Sequence, residues 1–336
     1  MRTRQLGSAG LSVSELGLGC MAMSDVYGPA DRNEGIATIH AALDAGITLL
    51  DTGDFYAMGA NEMLVRDALV GRDRTAVQLS VKFGALRDPA GAFLGYDGRP
   101  NAVKNFLSYS LRRLGTDYID IYRLSRVDPN VPIEDTVGAI AEMIAKGHVR
   151  YVGLSEASAE TVGRAHAAHP ICDLQIEYSL FSRGIERSIL PTTRELGIGI
   201  TAYGVLSRGL LSGHWRGNRP HAGDGRANYP RFAEANVAQN LALVEALRAI
   251  ATEKRVTVAH LAIAWVASQG DDIVPLVGSR TRAQLAEAVG TLDVSLSSED
   301  LARIERAVPA SAVAGDRYPT PLMKHLDSER EASPAS

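Results

Sequence analysis

Hydrophobic positions along the chain alternate between two periods. Short runs that are almost continuously apolar or β-branched occur at ITLLDT (47–52), VQLSVKF (77–83), YIDIYRL (118–124), YVGLS (151–155), ICDLQIEY (171–178), IGITAY (198–203) and DIVPLVG (272–278), with LGLGC (16–20) a weaker first member. Such runs suit strands buried on both faces. Between them apolar residues recur three and four apart. In NAVKNFLSYSLRRLG, Val103, Phe106, Leu107, Ser110, Leu111 and Leu114 fall on one helical face, and Gly115 follows as a C-cap. Strand–helix alternation predicts a parallel sheet with right-handed crossovers, and eight repeats close most simply into a (β/α)8 TIM barrel, here with an N-terminal β-hairpin. The competing open doubly wound sheet would place G-x-G-x-x-G after its first strand. Gly17 and Gly19 fit that turn, but position 22 is Ala22 and the helical run starts only near Asn33.

A chain of 336 residues accommodates one large barrel, read as residues 1–310, followed by a partly flexible C-terminal tail, 311–336, that could contribute to a substrate loop. Two long segments, 84–100 and 207–232, follow strands at their C-terminal ends, where barrel enzymes keep their active sites. Both are read as lids over a pocket, with Tyr318, Leu322 and Met323 of the early tail as a third wall and Phe93, Tyr96, Trp215 and Tyr229 as aromatics that could line it. The polar tail from Pro309 to Ser336, ending SEREASPAS, is expected to fray. Composition narrows the function classes. Cys20 and Cys172 are the only cysteines, so no disulfide framework is indicated and a reducing compartment fits. A net charge of −4 leaves no basic footprint for nucleic acid. No apolar run approaches the roughly 18 residues of a membrane span, and MRTRQLGSAGLSVSELGLG lacks a signal-peptide core, so a cytoplasmic location is expected. No metal site is expected, and the oligomeric state is left open.

The candidate chemistry lies at two adjacent strand ends. LLDTGDFYAMGANE places Asp51 at one and Tyr56 five residues later, while LSVKFG places Lys82 at the same height on the next strand. Neighbouring barrel strands project into one mouth. A tyrosine titrates near 10, and a cation within about 4–6 Å lowers an acid's pKa by roughly 1–3 units. Asp51 would keep the lysine charged. The trio is expected to act as a general acid that protonates a carbonyl oxygen as hydride arrives.

The motifs D-T-x-x-x-Y-x-x-G-x-N-E (51–62), S-L-R-R-L-G-T-D-Y-I-D (110–120), R-V-D-P-N-V-P-I-E-D-T (126–136), G-L-S-E-A-S (153–158), Q-x-E-Y-S-L (175–180) and R-E-L-G-I-G-I (194–200) together resemble the aldo-keto reductase family, over about residues 4–309. The resemblance is to its bacterial and fungal branch acting on small aldehydes. It implies NADPH across the barrel mouth and a small-molecule carbonyl substrate. It also implies that Asp51, Tyr56 and Lys82 belong to a catalytic tetrad with Tyr56 as proton donor. By the same resemblance Tyr203 stacks on the nicotinamide, and Gln175 and Ser155 contact its carboxamide, with Glu156 where many members have Asn. The run Tyr203–Gly209, including Gly204, Leu206 and Arg208, matches the loop over the pyrophosphate. Val277 to Ala288 matches the 2′-phosphate and adenine site: Gly278 and Arg280 at the phosphate, Arg282 assisting, Gln284 and Glu287 at the adenine. A helix start following the last strand suits a phosphate on physical grounds as well.

The fourth tetrad member is missing. The family reads Y-x-Q-H-R-V-D-P where this chain reads Tyr122-Arg123-Leu124-Ser125-Arg126-Val127-Asp128-Pro129, so Ser125 stands at the histidine position. Strand alternation points Arg123 into the barrel, where it needs a partner, Glu177 or Asp51 by strand position. His214 or His221 in the later lid could reach the pocket instead. Three readings follow: a carbonyl reductase with a repaired site, a nicotinamide-binding sensor with vestigial turnover, and a reductase of a C=C bond or an imine.

Overall fold

The computed structural model describes residues 1–215 and 224–330. A two-stranded hairpin, β1 (Thr3–Leu6) and β2 (Leu11–Ser14), leads into β3 (Gly17–Gly19), β4 (Leu49–Gly53) and β5 (Gln78–Phe83). A second hairpin, β6 (Ala85–Arg87) and β7 (Phe93–Tyr96), rises from the segment after β5. Then come β8 (Ile119–Leu124), β9 (Val149–Ser155), β10 (Ile171–Glu177), β11 (Gly199–Tyr203) and β12 (Ile273–Gly278). Strands β3, β4, β5, β8, β9, β10, β11 and β12 form a closed barrel in that order, and every pairing, including β12 with β3, is parallel. These are the eight runs read from the pattern, each shifted by no more than two residues at either end.

Helices between the strands shield the barrel because their apolar stripes face it. In Pro100–Leu114, Val103, Leu107, Ser110 and Leu114 are buried, and Gly115 caps the end at φ 64° with its N–H on the Leu111 carbonyl. A residue with a Cβ pays about 1 kcal/mol or more in that left-handed conformation. The N-terminal hairpin plugs the bottom of the barrel, where Leu6, Leu11 and Val13 pack on Leu49, Ile121 and Val274. The open end is therefore the C-terminal end of the strands.

The barrel interior is not wholly apolar. Arg123 points inward and is fully buried, but its partner is neither Glu177 nor Asp51. Its Nη1 lies 3.0 Å from Asp173 Oδ2, and its Nη2 donates to Ser80 Oγ at 3.0 Å. The register explains the choice. Arg123 on β8 stands beside Gly153 on β9, which stands beside Asp173 on β10. Gly153 has no side chain to separate them: a Cβ there would lie 2.7 Å from Asp173 Oδ1 and 3.2 Å from Arg123 Cζ. Glu177 is four residues further along β10, at the mouth. Thr201 also donates to Asp173.

Two buried charges are tolerated only when paired and hydrogen-bonded, so the gap at Gly153 is a stability requirement. Gly153→Ala is expected to destabilise the fold by about 1–3 kcal/mol through overpacking, read as a lower midpoint in urea with an unchanged slope. Unaltered stability would show that the pair has room to move.

Candidate active site

Asp51 at the end of β4 organises the centre of the mouth. One carboxylate oxygen takes the Lys82 ammonium in a short ion pair; the other accepts Ser80 Oγ at 2.7 Å and Gln175 Nε2 at 2.8 Å. The residues that follow, 54–59, turn back over the strand ends, with Ala57 and Met58 at positive φ. That turn brings Tyr56 over Lys82, whose Nζ lies 5.2 Å from the ring centroid. The three groups expected to meet do so.

Their protonation differs from the expectation. Burial raises Tyr56 well above its usual range, and Asp51 pushes the same way; the nearby cation that opposes the rise is Arg126. Burial lowers the Lys82 pKa, an effect Asp51 only partly offsets. Desolvation outweighs the lysine's field, so Tyr56 remains a protonated phenol at neutral pH.

Ser125 occupies the end of β8 beside this trio, its N–H bonded to the Phe83 carbonyl at 2.8 Å. It is 1% exposed, lines the cleft, and its Oγ has no hydrogen-bond partner. Ser155 lies across from it at the end of β9, with Oγ 3.4 Å from Arg126 Nη1. None of the described histidines replaces the missing imidazole. His214 bonds Glu287 at 3.0 Å, far along the cleft, and His325 packs edge-on against Phe93 and Tyr96. His221 lies outside the described residues.

The cleft has a volume of about 950 Å³ and runs from the second hairpin, past Tyr56, to the helix Arg282–Gly290. Phe93, Tyr96, Trp215, Tyr229, Tyr318 and Leu322 all line it. The tail reaches it because Glu156, fully buried, receives both guanidinium nitrogens of Arg317 (3.0 and 2.5 Å), Ser328 Oγ at 2.6 Å and Tyr203 Oη at 2.7 Å. Asp327 accepts the Ser158 N–H at 2.8 Å, so the tail is tied down through its described end rather than frayed. Burial alone would raise the Glu156 carboxyl, but Arg317, by charge and hydrogen bond, holds it far below the usual range. Glu156 therefore ties the tail to Tyr203 and to the end of β10. Tyr203 Oη also lies 2.9 Å from Tyr318 Oη.

Along the other flank, Gly204, Ser207, Arg208 and Gly209 adopt positive φ, coiling the backbone after β11 into a tight loop. Leu206 lines the cleft there. Arg208 tucks between the Tyr229 and Tyr318 rings (4.1 and 4.5 Å) and reaches Glu177 Oε2 at 3.3 Å, while Arg231 reaches Oε1 at 3.3 Å. A strap crosses the cleft where Tyr27 bridges Asp224 and the Gly225 N–H bonds the Val26 carbonyl at 3.2 Å. At the far end Gly278, Arg280, Gln284 and Glu287 all line the cleft. Arg280 donates to the Tyr27 carbonyl at 3.0 Å, and its N–H bonds Gln284. Arg282 is taken up by a bidentate contact with Glu34 and does not face the cleft with Arg280.

The family model described as the aldo/keto reductase family matches residues 15–309. The chain belongs to that family. It is an oxidoreductase of the aldo/keto reductase type, and its fold has counterparts among solved structures. Probable aldo-keto reductase 1 from Glycine max is 42% identical over 315 residues, 94% of this chain and 91% of that protein. The glycerol dehydrogenase of Gluconobacter oxydans superposes with a TM-score of 0.82 at 26% identity, covering 99% of both chains. An aldo/keto reductase from Klebsiella pneumoniae, solved in complex with NADP and acetate, superposes at 0.71 with 27% identity over 91% of this chain and 95% of that one.

Sequence reasoning gave no role to Arg126, Arg231 or Arg317. Arg126 stands in a matched motif, yet its place in the mouth depends on Tyr318, almost two hundred residues later. Arg317 carries no local signal at all.

One buried carboxyl behind the mouth is pushed toward neutrality. Burial, then repulsion from Glu62, raises Asp54 from 3.8 to about 7. Between those values the folded state holds a proton the unfolded chain has lost, so stability falls as pH rises through that window and levels off above it. Asp54→Asn is expected to remove this loss: its stability advantage over the parent should be absent near pH 4 and reach on the order of 2 kcal/mol by pH 8. A gap that does not change with pH would exclude the assignment.

Proposed function

We propose that the protein reduces an aldehyde or ketone to the alcohol with NADPH, with Tyr56 as proton donor. The observation that carries this reading is the convergence of Asp51, Lys82 and Tyr56 in a buried mouth at one end of a long cleft. The residues along the cleft suit a dinucleotide. An orphaned Ser125 hydroxyl stands at one end, the coiled backbone at 204–209 in the middle, and Arg280 beside a helix start at the other. NADP bound to the Klebsiella relative supports the same choice. When bound, the reduced nicotinamide supplies hydride to the carbonyl carbon.

The chain's own groups supply the rest. Tyr56 gives its proton to the carbonyl oxygen. Lys82 beneath the ring stabilises the phenolate left behind, and Asp51 holds Lys82 in place. Burial keeps Tyr56 protonated, so the proton is present for the reducing direction, and releasing it depends on nearby positive charge from Arg126 and Lys82. Ser125 can donate a hydrogen bond to the same oxygen but cannot titrate, so it orients substrate without relaying charge. In this reading Gln175 meets the nicotinamide carboxamide and Tyr203 its ring, Gly204, Leu206 and Arg208 meet the pyrophosphate, and Gly278, Arg280, Gln284 and Glu287 the adenosine 2′-phosphate end, all of which line the cleft; Ser155, assigned to the carboxamide with Gln175, lies behind Arg126. A sensor needs neither Tyr56 nor Lys82, which disfavours that alternative.

Tyr56→Phe is expected to lower turnover of 4-nitrobenzaldehyde by about 10²–10⁴-fold, followed as loss of reduced-nicotinamide absorbance, while NADPH still binds. Undiminished turnover in that variant would refute the proton donor. Arg280→Met should weaken NADPH roughly 10- to 100-fold and leave NADH affinity nearly untouched. Equal losses for both cofactors would remove Arg280 from the 2′-phosphate.

A further inference from the structure

The mouth contains a cation that no carboxylate neutralises. Arg126, half-buried at the end of β8, bonds the Ser125 carbonyl at 2.5 Å, the Tyr318 hydroxyl at 3.3 Å and Ser155 Oγ at 3.4 Å, all neutral acceptors. The other buried arginines of the mouth are committed: Arg317 to Glu156, and Arg208 and Arg231 to Glu177. Arg317 also meets Glu329 at 2.7 Å, so the nearby glutamates are all taken up by these three arginines, and among the described residues Arg126 has no acidic group within ion-pair distance. It is also the cation that acts most strongly on Tyr56 and one that acts on Tyr96 of the second hairpin, which places its charge between the proton donor and the outer wall. Beside it the Ser125 hydroxyl, 99% buried, is without a partner.

Much of the remaining wall on this side is apolar (Phe55, Met58, Phe93, Leu322 and Leu326), with the exposed Arg87 at its outer edge. A substrate entering here strips water from Arg126. A neutral molecule would leave the guanidinium desolvated and without a counter-charge, whereas a carboxylate would pair with it bidentately. The cofactor phosphates have their own candidate partners in the positive-φ coil at 204–209 and in Arg280, and Arg126, which shares the Tyr318 ring with Arg208, is left for a second anion.

We infer that the acceptor is an oxo acid, a small carbonyl compound carrying a carboxylate near its reacting carbon, with Arg126 holding the carboxylate while Ser125 donates to the carbonyl oxygen. This rests on the carbonyl-reductase reading above. Hydride goes to the carbonyl carbon and the Tyr56 proton to its oxygen, giving the hydroxy acid with the carboxylate unchanged. Arg126 would then be a specificity-determining group, selecting by charge within a wall that otherwise selects mainly by apolar area.

The test compares 2- and 4-carboxybenzaldehyde with their methyl esters, using NADPH and the full chain. The parent protein should prefer the acid of at least one pair by roughly 10- to 100-fold in kcat/KM. Arg126→Met should bring that ratio close to one, and Arg126→Lys should restore part of it. A second readout does not need turnover: benzoate, but not methyl benzoate, should bind the NADP-saturated protein, and Arg126→Met should weaken that binding about 10-fold or more. Should Arg126→Met fail to fold, the acid-to-ester ratio and benzoate binding of the parent and the lysine variant decide the matter. The inference falls if the parent shows neither acid preference nor selective benzoate binding, or if acid preference survives in Arg126→Met. Turnover of 4-nitrobenzaldehyde without acid preference would sink this inference and leave the reductase reading standing. Benzoate bound through Arg126 with no carbonyl turned over would overturn the reductase reading and the oxo-acid acceptor with it, leaving Arg126 as a carboxylate-binding group only.

Discussion

A carboxylate placed in the dry mouth of a barrel must be neutralised, and much of the site follows from how Asp51 meets that demand. It collects a lysine and a hydroxyl from β5 and an amide from β10. The hydroxyl, Ser80, extends the network downward to Arg123 and from there to Asp173 and Thr201. A polar chain thus runs from the barrel's centre to its rim. Its members fix one another's rotamers, so Lys82 reaches Tyr56 with little freedom to lose.

A second charge system closes the rim. Glu156 and Glu177, on neighbouring strands, gather Arg317, Arg208 and Arg231 from the tail and the loop after β11. These arginines anchor long connections that would otherwise be expensive to order. The same contacts present Tyr203, Tyr229 and Tyr318 to the cleft. The rim's walls and its electrostatics are therefore one construction, and Arg126 is the part of it whose charge is left over.

The barrel was legible because buried strands and amphipathic helices write their periods locally. Asp51, Tyr56, Lys82 and Ser125 were legible because a strand end fixes height and direction. Arg123 was correctly turned inward, but its partner was misassigned. Identifying Asp173 required the β8–β9–β10 register and the vacancy at Gly153, neither of which is a local property. The direction of the Tyr56 shift was missed because the sequence shows a nearby lysine but not the depth of burial that outweighs it. Arg317 and Arg126 were missed for the same kind of reason: their roles arise from contacts across 161 and 192 positions.

The two partners of the Glu156–Arg317 pair stand 161 positions apart, so the rim closes only when the segment after the last strand has docked. Without Arg317 the buried Glu156 carboxylate would be a stranded charge, and such a charge draws water in or takes up a proton. Dryness at the mouth is thus conferred by a segment that contributes no strand to the barrel.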